Sequence, residues 1–65
     1  MKAEAALRLA VPALRDAGVE DAARDGRLLM AHAMGIAADR LTLHLGDALT
    51  EPQSQAFDAA VAARV

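Results

Sequence analysis

Two histidines, His32 and His44, are the side chains of this sequence best suited to binding a metal or transferring a proton. Helical zinc sites follow patterns such as H-E-x-x-H, and this pattern is absent. The two histidines fall in different predicted helices, and His32 stands in an apolar run, DGRLLMAHAMG, that ends at a glycine. We therefore predict no metal ligand, and we expect His32 on the wall or rim of a helix.

The remaining candidates for chemistry lack the neighbours that the chemistry requires. Ser54 is the only serine, and no G-x-S-x-G turn surrounds it. The four glycines are isolated from one another, so they form no phosphate-binding loop. Asp21 and Asp25 lie one helical turn apart with Arg24 and Arg27 close by, which is typical of a solvated charged face. The sequence predicts no catalytic and no cofactor-binding residue.

The elements that hold these residues must build a core without covalent or metal support. The chain has 65 residues and no cysteine, so its stability has to come from apolar burial. The net charge is −2 with acids and bases interspersed, and the basic stripe of a nucleic-acid-binding protein is missing. No apolar run approaches the roughly 20 residues that span a bilayer. We expect a cytoplasmic protein that binds neither nucleic acid nor membrane.

Apolar residues at helical spacing predict four helical segments, and therefore an all-α fold class, a small bundle of four to five short helices. The first segment runs from about residue 2 to 17 and stops at Gly18. Pro12 lies inside it, which predicts a kink there or fraying of everything before Val11. The second begins after an N-cap at Asp21 and ends at Gly35.

The predicted inward stripe of the second helix consists of Ala22, Gly26, Leu29, Met30 and Ala33. The small Gly26 on this stripe allows another helix to approach closely. The third segment, about 38 to 45, is predicted as a short helix with Asp39 as its cap rather than as a strand. The fourth begins with a capping box in which Thr50 is the N-cap and Gln53 occupies N3. It then reaches residue 65 with no glycine or proline to end it, so we expect a fragment of a longer protein.

The order of these elements resembles the N-terminal helical domain of the peptide-chain release factor glutamine methyltransferases, the PrmC/HemK family. The resemblance covers nearly the whole chain, through LRLAVPALRDAGVEDAARDGRLLMAHAMG, DRLTLHLGDALT and QAFDAAVAARV. It is a register of apolar positions and turns, carried by Asp25, Leu28, Leu29, His32, Gly35, Leu41, His44, Leu49, Phe57 and Arg64. The sequence departs from the family at Gly26, where alanine is usual, and at Pro12.

The resemblance implies that residues 1–65 form a substrate-recognition domain without chemistry of its own. It implies a methyltransferase domain downstream, with a Gly-rich loop for S-adenosylmethionine and an Asn-Pro-Pro-Tyr motif for the glutamine amide. This chain contains no asparagine and no tyrosine, so no catalytic or cofactor residue is carried over. The implied partners are a class I peptide chain release factor, as protein substrate, and the domain's own methyltransferase domain.

Two functions from different classes remain open, and only the first follows from the resemblance. In the first, the domain holds the release factor while the distal domain transfers the methyl group, and the expected contacts to the partner are Arg24, Arg27 and Arg40. In the second, the chain is a free-standing helical interaction module, such as an adaptor or an antitoxin-like domain. An exposed apolar patch of several hundred Å² would be needed for the second function.

Overall fold

The computed structural model describes residues 1–65 and contains four helices and no β-strand. The helices are α1 (Ala3–Asp16), α2 (Ala22–Met34), a 3₁₀ helix (Ala38–His44) and α3 (Glu51–Arg64). The all-α fold class and the four predicted segments are therefore confirmed, within one or two residues at each boundary. None of the helices combines the length and the apolar character needed to cross a membrane.

Helix α1 continues without interruption through Pro12. The prediction of fraying before Val11 is wrong, because the turns that precede the proline are held by tertiary packing: Ala3 is fully buried and Leu7 is 8% exposed. This packing outweighs the one hydrogen bond that Pro12 cannot donate to the carbonyl of Arg8. Pro12 itself is exposed, so its ring lies away from the core.

The N-terminus of α1 is capped by main-chain atoms from a distant part of the chain. Lys2, the N-cap residue of α1, makes no side-chain hydrogen bond to the helix. Instead, Ala3 N donates to Asp47 O at 3.0 Å and Glu4 N donates to Leu45 O at 2.9 Å. Since the first amides of a helix have no partner within it, these bonds satisfy two of them. They also tie the start of the chain to the segment between the 3₁₀ helix and α3.

The turn from α1 to α2 depends on Gly18, which has a φ of +89°. Gly18 N donates to Arg15 O and Val19 N donates to Leu14 O, both at 3.0 Å. This pair of bonds is a Schellman motif, in which a left-handed residue that favours glycine ends the helix. The predicted stop is confirmed, and Val19 is directed into the core beside Leu14 and Ala22.

Helix α2 has the boundaries that its cap residues predict. The Asp21 side chain accepts a hydrogen bond from Arg24 N at 3.3 Å, and the helix ends before Gly35. Residues Ala22, Gly26 and Met30 are buried, which confirms three positions of the predicted inward stripe. The helix is central to the fold, because α1, α3 and the 3₁₀ helix all pack against it.

Gly26 faces α1 at a distance that leaves little room for a side chain. A Cβ built on this residue would lie 3.2 Å from Val11 Cγ2, 3.5 Å from Leu7 Cδ2 and 3.6 Å from Leu14 Cδ1. Leu7 and Leu14 are themselves buried in the core. The structure therefore confirms that a small residue here serves helix packing.

The core consists of two neighbouring clusters of small and medium side chains. The larger contains seven buried residues from all four helices, and Met30 and Leu41 are fully buried within it. The smaller contains Leu14, Val19 and Ala22, and the partly buried Leu29 packs against both clusters. Four of the seven residues of the larger cluster come from α1: Ala3, Ala6, Leu7 and Ala10.

The third segment is helical, as predicted, but it is a 3₁₀ helix. Leu41 is fully buried and Leu43 is 72% exposed, so Leu43 lies off the apolar face of this helix. The prediction of Asp39 as the N-cap is wrong, since Ala37 holds that position with no side-chain hydrogen bond. The reason is that Arg40 N donates to the main-chain oxygen of Ala37 at 3.0 Å, which starts the helix early and places Asp39 in its first turn.

Helix α3 begins with the predicted capping box. Gln53 N donates to Thr50 Oγ1 at 3.2 Å, and Thr50 N donates to Gln53 Oε1 at 2.9 Å. Phe57, which is 2% exposed, is the only buried residue of this helix, while Val61 is half-buried. Phe57 belongs to the larger core cluster, and Val61 packs against both clusters.

Candidate functional site

The two histidines lie on different helices and serve different surroundings. His32 is exposed in the last turn of α2, which confirms its predicted position on the rim of that helix. His44 ends the 3₁₀ helix, and its Nδ1 atom lies 2.8 Å from Asp47 Oδ2. No group of three or more His, Cys, Asp or Glu side chains is placed to hold a metal ion.

The pair of His44 and Asp47 lies in the turn that follows the 3₁₀ helix. Their side chains are 40% and 55% exposed, and the main-chain oxygen of Asp47 is the one that accepts the hydrogen bond from Ala3 N. The pair thus links the end of the 3₁₀ helix to the segment that caps α1. The spacing of three residues between a histidine and a carboxylate was visible in the sequence, and it is the signal that sequence reasoning missed.

A shallow surface depression of about 340 Å³ lies beside the N-terminal half of α2. We call it the arginine depression, and it is lined by Asp21, Ala23, Arg24, Arg27, Leu28 and Ala38. Three elements build it: the cap of α2, the outward face of α2, and the first residue of the 3₁₀ helix. The 3₁₀ helix packs against α2, which brings its start close to the helix face.

Arg24 and Arg27 give the depression its charge. Both are exposed, and the two ion pairs of the structure involve other side chains. Asp21 also lines the depression, where its carboxylate accepts a hydrogen bond from the main-chain nitrogen of Arg24. A guanidinium presents a planar set of donors that matches a carboxylate, so two neighbouring arginines can bind an acidic segment of another protein.

The structure brings together two of the three arginines that the sequence singled out. Arg40 is exposed and belongs to the 3₁₀ helix, two residues beyond Ala38, but it does not line the arginine depression. Leu28, which is 43% exposed, does line it and was not among the predicted contacts. Its sequence signal is a large apolar residue off the inward stripe of α2.

The charged face around Asp25 is reinforced by an ion pair between helices. Arg64 Nη2 lies 2.9 Å from Asp25 Oδ2, and Arg64 Nε donates to the same oxygen at 3.1 Å. Asp25 is 21% exposed and Arg64 51%, so the pair is partly shielded from water. It links the C-terminal turn of α3 to the first turn of α2. Asp25 follows Arg24 in the sequence, but the carboxylate that lines the arginine depression is that of Asp21.

The sequence matches a known protein family and a known enzyme. The family model described as "PrmC N-terminal domain" matches residues 5–65. A release factor glutamine methyltransferase of Cereibacter sphaeroides is 56% identical over 64 residues, which is 98% of this chain. The chain spans 23% of the length of that relative. No solved structure matches the chain.

Proposed function

Because the chain belongs to the PrmC N-terminal domain family, we propose that it is the substrate-recognition domain of an enzyme that methylates a glutamine side chain in peptide chain release factors. The observation that carries this proposal is the 56% identity, over 98% of the chain, to a release factor glutamine methyltransferase. The matched region covers the helices, caps and turns described above. The relative is itself a methyltransferase, and the chain corresponds to the part of it that the family model describes as N-terminal.

In this proposal the domain contributes binding, and the methyl transfer takes place elsewhere in the longer enzyme. The arginine depression is the surface best equipped for the purpose, because it combines exposed cationic groups with an exposed leucine. Contacts of this kind hold the protein substrate equally before and during methyl transfer, so they lower KM and leave kcat nearly unchanged. A class I release factor would present an acidic side chain to Arg24 and Arg27, and an apolar one to Leu28.

The methyl group would come from S-adenosylmethionine bound to the remainder of the enzyme. The residues of this domain do not fit that cofactor. Its four glycines, Gly18, Gly26, Gly35 and Gly46, are at least eight positions apart, so the domain has no Gly-rich loop that could cradle a nucleotide cofactor. We therefore assign the cofactor no site in this domain.

The test is a kinetic comparison in the full-length enzyme that carries this domain. Arg24→Ala and Arg27→Ala are made singly and together, Arg40→Ala is made alongside, and Arg8→Ala on α1 is the control. Methyl transfer from labelled S-adenosylmethionine to a purified class I release factor gives KM and kcat. Loss of one charge-assisted hydrogen bond, about 1.5 kcal/mol, corresponds to a roughly tenfold rise in KM.

We expect KM to rise for Arg24→Ala and Arg27→Ala with kcat nearly unchanged, since the lost contact serves binding rather than chemistry. The effect of Arg40→Ala should be smaller, because Arg40 lies outside the arginine depression. An unchanged KM for the double variant would refute the assignment of the surface. Absence of methyl transfer to any release factor by the unaltered enzyme would refute the function itself.

A further inference from the structure

A second concave surface lies between α1 and α3, and its lining residues differ in type from those of the arginine depression. It has a volume of about 370 Å³ and is mostly apolar, and we call it the α1–α3 groove. Leu9 and Ala10 of α1 line one side, and Phe57 and Val61 of α3 line the other. Asp58 is the one charged side chain that lines it.

The groove is open because α1 and α3 pack mainly on α2 and meet each other only slightly. Alanines at positions 6 and 10 line the α1 side, so that helix fills little of the space between the two. Leu9 is a large apolar residue that lines the groove, and it is 66% exposed. An exposed large apolar residue beside an unfilled apolar groove marks a place where another surface packs.

The size of the groove decides which kind of occupant it suits. A volume of about 370 Å³ accommodates only a few side chains, whereas a stable complex of two separate proteins needs an interface of roughly 1,000 Å² or more. A segment of the same polypeptide needs far less contact area, because a short tether gives it an effective concentration in the millimolar range. About three-quarters of the length of the matched relative lies outside the region that this chain covers.

We propose that the α1–α3 groove seats an apolar segment of the methyltransferase portion of the same polypeptide, with a lysine or arginine of that segment beside Asp58. The proposal rests on the proposed function, since it requires the longer enzyme. An apolar side chain of that segment fills the space between Leu9 and Phe57, and its cationic side chain forms an ion pair with Asp58. The groove thus orients the recognition domain on the part of the enzyme that carries out methyl transfer.

Site-directed photo-cross-linking in the full-length enzyme tests this proposal. The domain has no cysteine, so Leu9→Cys introduces a unique attachment point for benzophenone maleimide once cysteines elsewhere in the enzyme are replaced by serine. Leu43→Cys is the matched control, because Leu43 is also a leucine and is 72% exposed on the 3₁₀ helix. Both side chains are exposed, so neither change disturbs the core. Irradiation is carried out with and without a release factor, and mass spectrometry identifies the linked peptides.

We expect the Leu9→Cys variant to give a cross-link within one polypeptide, to the methyltransferase portion, in several-fold greater yield than the Leu43→Cys variant. Adding Asp58→Lys should reduce that yield several-fold, while Asp39→Lys on the exposed 3₁₀ helix should leave it unchanged. A cross-link to the release factor, a cross-link between two copies, or equal yields from both positions would overturn the proposal. Any of these results leaves methylation of the release factor intact, so failure here is distinguishable from failure of the proposed function.

Discussion

Replacing Gly26 by alanine tests how tightly α1 and α2 are packed. Alanine is favoured over glycine in a helix interior by about 1 kcal/mol. Against this gain stands one close contact, since the new Cβ would lie 3.2 Å from Val11 Cγ2, while its distances to Leu7 and Leu14 are ordinary. Val11 is only half-buried, so its side chain can withdraw by a few tenths of an ångström at a cost of about 0.5 kcal/mol.

The balance predicts that Gly26→Ala raises the free energy of unfolding by about 0.5 kcal/mol, or the melting temperature by about 2–4 °C. Gly26→Leu should have the opposite effect. It adds three further carbon atoms at a point where the Cβ already has three neighbours within 3.6 Å, and overpacking of this kind costs about 1–3 kcal/mol. The order of stability should therefore be alanine, glycine, leucine.

Urea unfolding followed by circular dichroism at 222 nm measures these changes, because the chain has no tryptophan or tyrosine to report by fluorescence. The contact itself is tested by repeating Gly26→Ala in a Val11→Ala background. There the full helix-propensity gain of about 1 kcal/mol should appear. Destabilisation by Gly26→Ala in both backgrounds, or a Gly26→Leu variant as stable as the original, would refute the packing argument.

Three further changes test the caps, the core and the surface ion pair. Thr50→Ala removes an acceptor of the capping box and should lower the free energy of unfolding by about 1 kcal/mol in urea titrations. Leu41→Ala empties a fully buried site and should cost about 2–5 kcal/mol, whereas Leu43→Ala, at an exposed site, should change stability by less than about 0.5 kcal/mol; equal effects would contradict the assigned burial. A double-mutant cycle on Asp25→Asn and Arg64→Ala should give a coupling of at most about 1 kcal/mol that weakens in high salt, since Arg64 is half exposed.

The boundaries of the helices could be predicted because their signals are local. Asp21 and Thr50 accept hydrogen bonds from amides three residues away, and Gly18 ends α1 through bonds to residues of the same turn. Each of these interactions depends on side chains and backbone angles within one helical turn, which a single sequence displays directly. Asp39 fails as a cap for a local reason too, because a main-chain bond starts the 3₁₀ helix before it.

Contacts between helices could not be predicted in the same way. The Asp25–Arg64 pair joins residues 39 positions apart, and the capping of α1 by the main-chain oxygens of Leu45 and Asp47 joins residues more than 40 positions apart. Periodicity shows which face of a helix is apolar, but it does not show where two helices cross. For the same reason the sequence proposed Arg40 together with Arg24 and Arg27, although only the last two line one depression.

The packing around α2 explains why the domain has two separate concave surfaces. Its inward stripe uses small residues such as Ala22 and Gly26, so α1 lies close against it, and α3 packs on the same central helix. Because both partners are held by α2, they leave the α1–α3 groove open between them. The outward face of α2 meanwhile carries Arg24 and Arg27 of the arginine depression. The two surfaces share no lining residue, so the two proposed contacts, one to the methyltransferase portion and one to a release factor, can be altered independently by substitution.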